Sequence, residues 1–253
     1  MHTQAHLSMK SFSYLPKSFL HFLQRVFVIV ALLNTSVSLK AQFFTDQNAT
    51  SNLTEVAFNS IVWGDYDNDD DLDILLTGFS NSGGVSKIYT NMGSGSFSEL
   101  TTSLEGVIQS SVAWGDYDND GDLDILLSGL SGSRLISKIY TNNGNSTFSE
   151  LTTAILTGVE KGSVAWGDYD NDGDLDILLT GATSSGQIAK IYTNIGSGNF
   201  SELTIANLTG VSDSSAAWGD YDNDGDLDLL LTGWSGANVI SEIYTNNGDS
   251  TFN

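Results

Sequence analysis

An all-β chain made of tandem four-stranded blades is what three features of this 253-residue sequence predict. A stretch beginning Trp-Gly-Asp-Tyr-Asp recurs at Trp63, Trp114, Trp166 and Trp218, with spacings of 51, 52 and 52 residues. Each copy carries four short apolar segments, rich in β-branched and aromatic residues and bounded by Gly, Asn or Ser. Proline occurs once, at Pro16, and nothing after residue 42 shows helical spacing. A period near fifty residues means one supersecondary unit copied in tandem, whose copies bury their faces only by stacking or closing into a ring. Four strands per such repeat is the pattern of a β-propeller blade.

In chain order, residues 1–41 come first and read as a secretory signal peptide. Basic residues precede the apolar run Val26–Leu33, and small and polar residues follow up to Leu39-Lys40-Ala41. Eight apolar residues are too few to span a bilayer, so export without a membrane span is expected, giving a secreted or cell-surface protein. Residues 42–253 form the propeller, with repeats starting near 60, 111, 163 and 215. Phe43-Phe44-Thr45-Asp46 resembles the last strand of a blade, and Thr251-Phe252-Asn253 begins that strand again. The N-terminal strand either completes the last blade or the chain is the front of a longer array. The second is favoured, because the last residues repeat the blade with no capping change.

In the second copy the four segments are Ser111–Trp114, Asp124–Leu127, Ser137–Asn142 and Thr147–Leu151. In an up-and-down meander the loops alternate ends. The acidic loop and the Asn143-Gly144 turn therefore share one face. The segments that differ between copies, Gly78–Ser86, Gly129–Ser137, Gly181–Ala189 and Gly233–Ser241, share the other. Phe79, Leu130, Arg134 and Trp234 in those segments are the expected partner contacts. The four repeat tryptophans, with Tyr89, Tyr140, Tyr192 and Tyr244, sit at fixed places in strands, where large aromatics pack between blades.

The charge is concentrated. Residues 1–41 hold no acid and four bases, which leaves five bases against 31 acids, and 21 of those acids lie in four nine-residue loops. Such a surface repels nucleic acid and anionic lipid. There is no cysteine, and the three histidines, His2, His6 and His21, all fall in the leader. A histidine base, a histidine triad and a conventional zinc site are therefore excluded from the mature chain, and no enzymatic activity is expected.

The candidate metal residues are the loop aspartates. They are Asp65, Asp67, Asp69, Asp71 and Asp73; Asp116, Asp118, Asp120, Asp122 and Asp124; Asp168, Asp170, Asp172, Asp174 and Asp176; and Asp220, Asp222, Asp224, Asp226 and Asp228. Carboxylates at loop positions 1, 3, 5 and 9, a glycine at 6 for the tight turn and a backbone carbonyl at 7 can wrap a hard cation. Six to eight oxygens in flexible geometry suit Ca2+, about one per repeat, better than Mg2+. Two carboxylates about 4 Å apart repel by about 1 kcal/mol in water and up to about 4 near a protein surface, so such loops are costly to fold without a cation. An EF-hand begins the same way but needs glutamate at position 12, where this loop has Leu127 inside a strand. In the first copy Asp70 replaces the glycine found at Gly121, Gly173 and Gly225, which predicts a weaker first site.

The run Asp-Tyr-Asp-Asn-Asp-Gly-Asp-Leu-Asp-Ile-Leu-Leu, followed by Ile-Tyr-Thr-Asn-Asn-Gly-X-X-Thr-Phe, resembles the FG-GAP/VCBS repeat of the integrin α-subunit propeller and of secreted bacterial proteins. The resemblance covers about residues 43–253. It implies a calcium-binding propeller, usually a seven-bladed ring, of which four repeats are present here, used in adhesion or as a binding module. It also implies calcium ligation by Asp116, Asp118, Asp120 and Asp124 with the carbonyl of Asp122, and by the equivalent residues of the other copies. Two functions follow as expectations: a module that binds an extracellular protein or glycan, or part of a larger extracellular enzyme such as a polysaccharide lyase. With one arginine, four lysines and no histidine after residue 41, the sequence favours the first.

Overall fold

Each repeat folds as an antiparallel meander in which the order of strands in the sheet is their order in the chain. The computed structural model describes residues 52–253; the expected leader and the strand-like Phe43–Asp46 lie outside them. The first sheet holds β1 (Ala57–Gly64), β2 (Asp73–Ser80), β3 (Gly83–Asn91) and β4 (Phe97–Leu100). The second holds β5 (Ile108–Gly115), β6 (Asp124–Ser131), β7 (Arg134–Asn142) and β8 (Phe148–Glu150). The third holds β9 (Val164–Gly167), β10 (Asp176–Thr183), β11 (Gly186–Asn194) and β12 (Phe200–Glu202). The fourth holds β13 (Ser212–Gly219), β14 (Asp228–Trp234) and β15 (Val239–Tyr244). Its fourth strand is represented by the single bridge Asn246–Phe252. No helix occurs among the described residues, so the all-β reading holds.

The second strand of every sheet is central, and in the first three sheets it is covered on both faces. That is why it reads Ile-Leu-Leu there without alternation; in the fourth sheet Leu230 of Leu-Leu-Leu is half exposed. In the second sheet Ile125, Leu126 and Leu127 are all fully buried, yet they serve different joints. Ile125 and Leu127 join the cluster shared with the first sheet, while Leu126 points the other way into the cluster shared with the third. The period-two alternation of a strand is therefore present, with a neighbouring sheet waiting on each side. Leu178 and Ile191 do the same between the third and fourth sheets.

Each joint is keyed by the repeat tryptophan. Trp114 lies across the loop tyrosine Tyr66 of the preceding copy, with ring centroids 6.2 Å apart and planes 10° from parallel. Trp166 repeats this on Tyr117 and Trp218 on Tyr169. Phe148, Phe200 and Phe252 close the same three clusters. The tyrosines of the third strands act on the links between blades: the hydroxyls of Tyr89, Tyr140, Tyr192 and Tyr244 accept hydrogen bonds from the backbone N–H of Thr54, Glu105, Thr157 and Thr209. The expectation that these eight aromatics pack the blades holds with one exception. Trp63 is 57% exposed.

The segments that differ between copies prove to be mostly strand rather than loop. Ser80 pairs with Gly83, so Asn81 and Ser82 alone make the turn, and the Ser80 hydroxyl accepts a hydrogen bond from the Ser82 N–H. A two-residue hairpin lets the ladder run nearly to its end. Phe79, Leu130 and Trp234 therefore sit in strands, and Arg134 opens β7, where it is ion-paired with Glu105.

Candidate metal centre

Strand pairing closes every acidic loop at the same place. Gly64 pairs with Asp73, Gly115 with Asp124, Gly167 with Asp176 and Gly219 with Asp228, so position 9 of the loop is the first residue of a central strand. Its carboxylate is buried there. Asp124 accepts hydrogen bonds from the backbone N–H of Tyr117 at 3.1 Å and of Asn142 at 2.8 Å. The second of these ties the acidic loop to the turn between third and fourth strands. Both therefore lie at one end of the sheet, as the meander requires.

The position-1 carboxylate folds back over the turn. Asp116 accepts from the N–H of Asp120 and of Gly121, each at 3.0 Å, and the same pair of bonds recurs at Asp65, Asp168 and Asp220. This wrap demands left-handed backbone at two residues. Asn119 has φ +60° and Gly121 φ +94°; in the first copy Asp70 takes the glycine's place at φ +70°.

The result is a triad in every copy: Asp65, Asp67 and Asp73; Asp116, Asp118 and Asp124; Asp168, Asp170 and Asp176; Asp220, Asp222 and Asp228. In each, one carboxylate oxygen per residue lies within 4.8 Å of the others. Positions 5 and 7 stand outside these triads. The position-5 carboxylates of Asp69, Asp120, Asp172 and Asp224 accept hydrogen bonds from the N–H of Asp71, Asp122, Asp174 and Asp226. The position-7 side chains face the preceding copy, where Asp122, Asp174 and Asp226 accept from the amides of Asn68, Asn119 and Asn171 at 2.8 to 2.9 Å.

Burial is the largest influence on the triads' protonation. It pushes Asp73 up to about 6 and Asp124 and Asp176 up to about 7, against the pull of the two backbone N–H donors each accepts. Asp67, Asp118 and Asp170 are raised too, first by burial and then by the charges of the flanking loop aspartates. Three converging carboxylates, one of them with no access to water, are an arrangement that a bound cation would relieve. The donors are all hard oxygens, and each triad is compatible with a metal ion.

The loop tyrosines Tyr66, Tyr117 and Tyr169 and the asparagines Asn142, Asn194 and Asn246 were not foreseen as part of this region. The asparagine amides donate to the carbonyls of those tyrosines in the acidic loop of the preceding copy, at 2.8 to 2.9 Å. Their recurrence at one register position in every copy was the available signal.

A family model described as the FG-GAP-like repeat matches residues 65–127, 130–179 and 180–231. Cartilage acidic protein 1 of Xenopus tropicalis is 26% identical over 165 residues, 60% of this chain and 25% of that protein. T-cell immunomodulatory protein of Homo sapiens is 31% identical over 222 residues, 80% of this chain and 35% of that protein. The chain thus spans between a quarter and about a third of the length of these relatives. Among solved structures, an Agrocybe aegerita lectin described for specific recognition of non-reducing terminal N-acetylglucosamine aligns with a TM-score of 0.51 at 21% identity, over 77% of this chain and 50% of that one. At that identity the likeness speaks to the fold.

Proposed function

The chain belongs to the FG-GAP-like repeat family, and on that footing we propose that it is an extracellular calcium-binding propeller module that holds a glycan or protein partner on the face opposite its metal loops. One observation carries the assignment of faces. At the far end of the first strands the four repeats converge on an open cavity of about 440 Å³, lined by Phe58, Gln109, Lys161 and Asp213 at one register position and by their following residues. All four have left-handed backbone, with φ between +45° and +51° for Phe58, Gln109 and Asp213 and +53° for Lys161. The backbone device is identical in every copy while the side chain it presents differs, which is the division of labour expected of a scaffold carrying a recognition surface.

Calcium fits the loops because the donors are carboxylates and carbonyls on a turn able to adjust to a large cation. An aromatic ring beside amide, amine and carboxylate groups suits a sugar, and the lectin of similar fold gives that partner class its support. Catalysis is not part of the proposal. Of the five basic residues described, Lys87, Arg134, Lys138 and Lys190 are engaged in ion pairs with Glu99, Glu105, Glu150 and Glu202, which leaves Lys161 as the cation without one among the described residues. That gives little to a lyase-type charge clamp. No helix among the described residues is long and apolar enough to cross a membrane.

The test is a glycan array probed with the calcium-loaded chain, in parallel with Phe58→Ala/Lys161→Ala and with Asp116→Ala. The expected result is a signal lost in the double variant and kept in a folded Asp116→Ala protein. Binding that survives the double change and disappears with Asp116 would place recognition on the metal face.

A further inference from the structure

Neighbouring acidic loops are stitched together in both directions, at every joint between repeats inside the chain. Forward, the asparagine at loop position 4 leaves its own loop. The Asn119 amide donates to the Gly173 carbonyl at 3.3 Å and to a carboxylate oxygen of Asp174 at 2.9 Å, both in the next loop. Asn68 and Asn171 make the same fork at 2.8 to 3.4 Å. Backward, Asn194 closes β11 and is only 3% exposed. Its amide donates to the Tyr117 carbonyl of the preceding loop at 2.9 Å and to the Leu175 carbonyl of its own at 3.3 Å, while its backbone N–H donates to Asp176, the buried member of the triad. Asn142 and Asn246 repeat this bridge at their joints. In the third loop, Asn119 thus grips Gly173 and the Asp174 side chain, and Asn194 grips Leu175. The carbonyl of Asp174, the expected backbone donor to a cation, lies in the chain between those two grips.

On the reading of the triads as calcium sites, we propose that these asparagines are positioning residues that make calcium binding cooperative between adjacent repeats. The like charges of an empty loop oppose its closure. A cation that orders one loop also fixes the Asn119 amide and the Tyr117 carbonyl, through which the next loop is held. The next loop then binds with part of its freedom already lost, which is coupling through order. Coupling through charge has the opposite sign. A dication in one loop weakens the negative potential that draws a cation to its neighbour, so charge alone makes later sites weaker, and added salt shrinks that effect. Binding that tightens as sites fill, and goes on doing so at higher salt, is the signature of the amide bridges.

Calorimetric titration with calcium chloride at about 0.15 M and about 0.5 M salt tests this. The full chain carries Asp70→Gly, which gives every loop a glycine at position 6 and keeps unequal sites from masking the coupling. Filling one site should tighten its neighbour by roughly fivefold or more at both salt concentrations. In the same background, Asn68→Gly/Asn119→Gly/Asn171→Gly removes the forward forks. Those side chains are exposed and their backbone is left-handed, φ +59° to +60°, a conformation glycine keeps without strain. The triple variant should bind as many calcium ions with the coupling lost, and Asn119→Gly alone should uncouple only the second and third sites. A merely structural role would lower the chelated protein's thermal midpoint and leave the steepness of the titration unchanged. No calcium uptake would remove the metal reading and this inference with it. Uptake by independent or progressively weaker sites before the asparagines are changed, or coupling undiminished in the triple variant, would overturn the inference and leave the metal reading standing.

Discussion

Trp114 stands so close to the backbone of Gly64 that a β-carbon there would lie 2.5 Å from the indole Cδ1. The glycine is required by this approach and not by its own conformation, because its φ lies outside the left-handed region. The same holds for Gly115 under Trp166 and Gly167 under Trp218. One Trp-Gly-Asp-Tyr run thus does two things: its glycine and tyrosine receive the next blade, and the loop it opens carries the aspartate triad.

Gly115→Ala should therefore destabilise by about 1–3 kcal/mol, the usual range for forcing an atom into a packed joint. Gly219→Ala should be neutral or stabilise by about 0.4–1 kcal/mol, since there the methyl group only restricts the unfolded chain. With shifts of about 2–4 °C per kcal/mol for a domain of this size, thermal melts separate the two. Equal losses at both positions would show that the glycines serve backbone conformation instead.

The repeat length, the strands and the loop aspartates were legible because each is a local pattern copied four times: Asp124 to Leu127 reads as a short strand, and Asp116 to Asp124 as a hard-oxygen loop. What stayed hidden depends on contacts between copies. That Tyr117 is a platform for Trp166, and that Asp122 turns toward Asn68, follows from how blades stack, which no single repeat encodes. Arg134 looked available for a partner because its ion-pair acceptor, Glu105, lies 29 residues earlier in the link from the preceding blade. The left-handed residues Phe58, Gln109, Lys161 and Asp213 were missed for a different reason. Four unlike side chains share one backbone state, so their kinship is invisible in residue type.

On the proposed calcium occupancy, chelation should leave a protein whose stability falls as pH rises. Asp124 and Asp176 are raised to about 7 in the fold, against about 4 in an unfolded chain, so the folded state binds their protons more tightly. Their contribution to stability is full below about pH 4 and is lost as pH rises through 7. The chelated protein should therefore melt at progressively lower temperature from about pH 4.5 to 7.5. Calcium competes with those protons, so the gap between loaded and chelated midpoints should widen over the same interval. At free calcium about 100 times the dissociation constant each site adds about 2.7 kcal/mol. Asp124→Asn should flatten part of the chelated profile and remove one site's share of the calcium gain. A chelated midpoint that climbs with pH would contradict the burial of these carboxylates.

The first loop sets backbone strain against charge. Asp70 holds φ +70° where the other copies use glycine at +93° to +97°, and its N–H still donates to Asp65 at 3.0 Å, so the turn is kept at the cost of a left-handed β-carbon, about 1 kcal/mol. Its exposed carboxylate works the other way. Attraction to a dication about 8 Å distant in water is also about 1 kcal/mol, but screening over one Debye length cuts this to roughly 0.4 at 0.15 M salt. Strain wins at that ionic strength. Asp70→Gly should then tighten calcium binding at the first site by about twofold to fivefold, and the advantage should vanish near 10 mM salt, where the lost charge matters most. Calorimetric titration of both proteins at the two salt concentrations checks this. Weaker binding by Asp70→Gly at 0.15 M would mean that the aspartate sits in the turn without strain and that its charge governs the site.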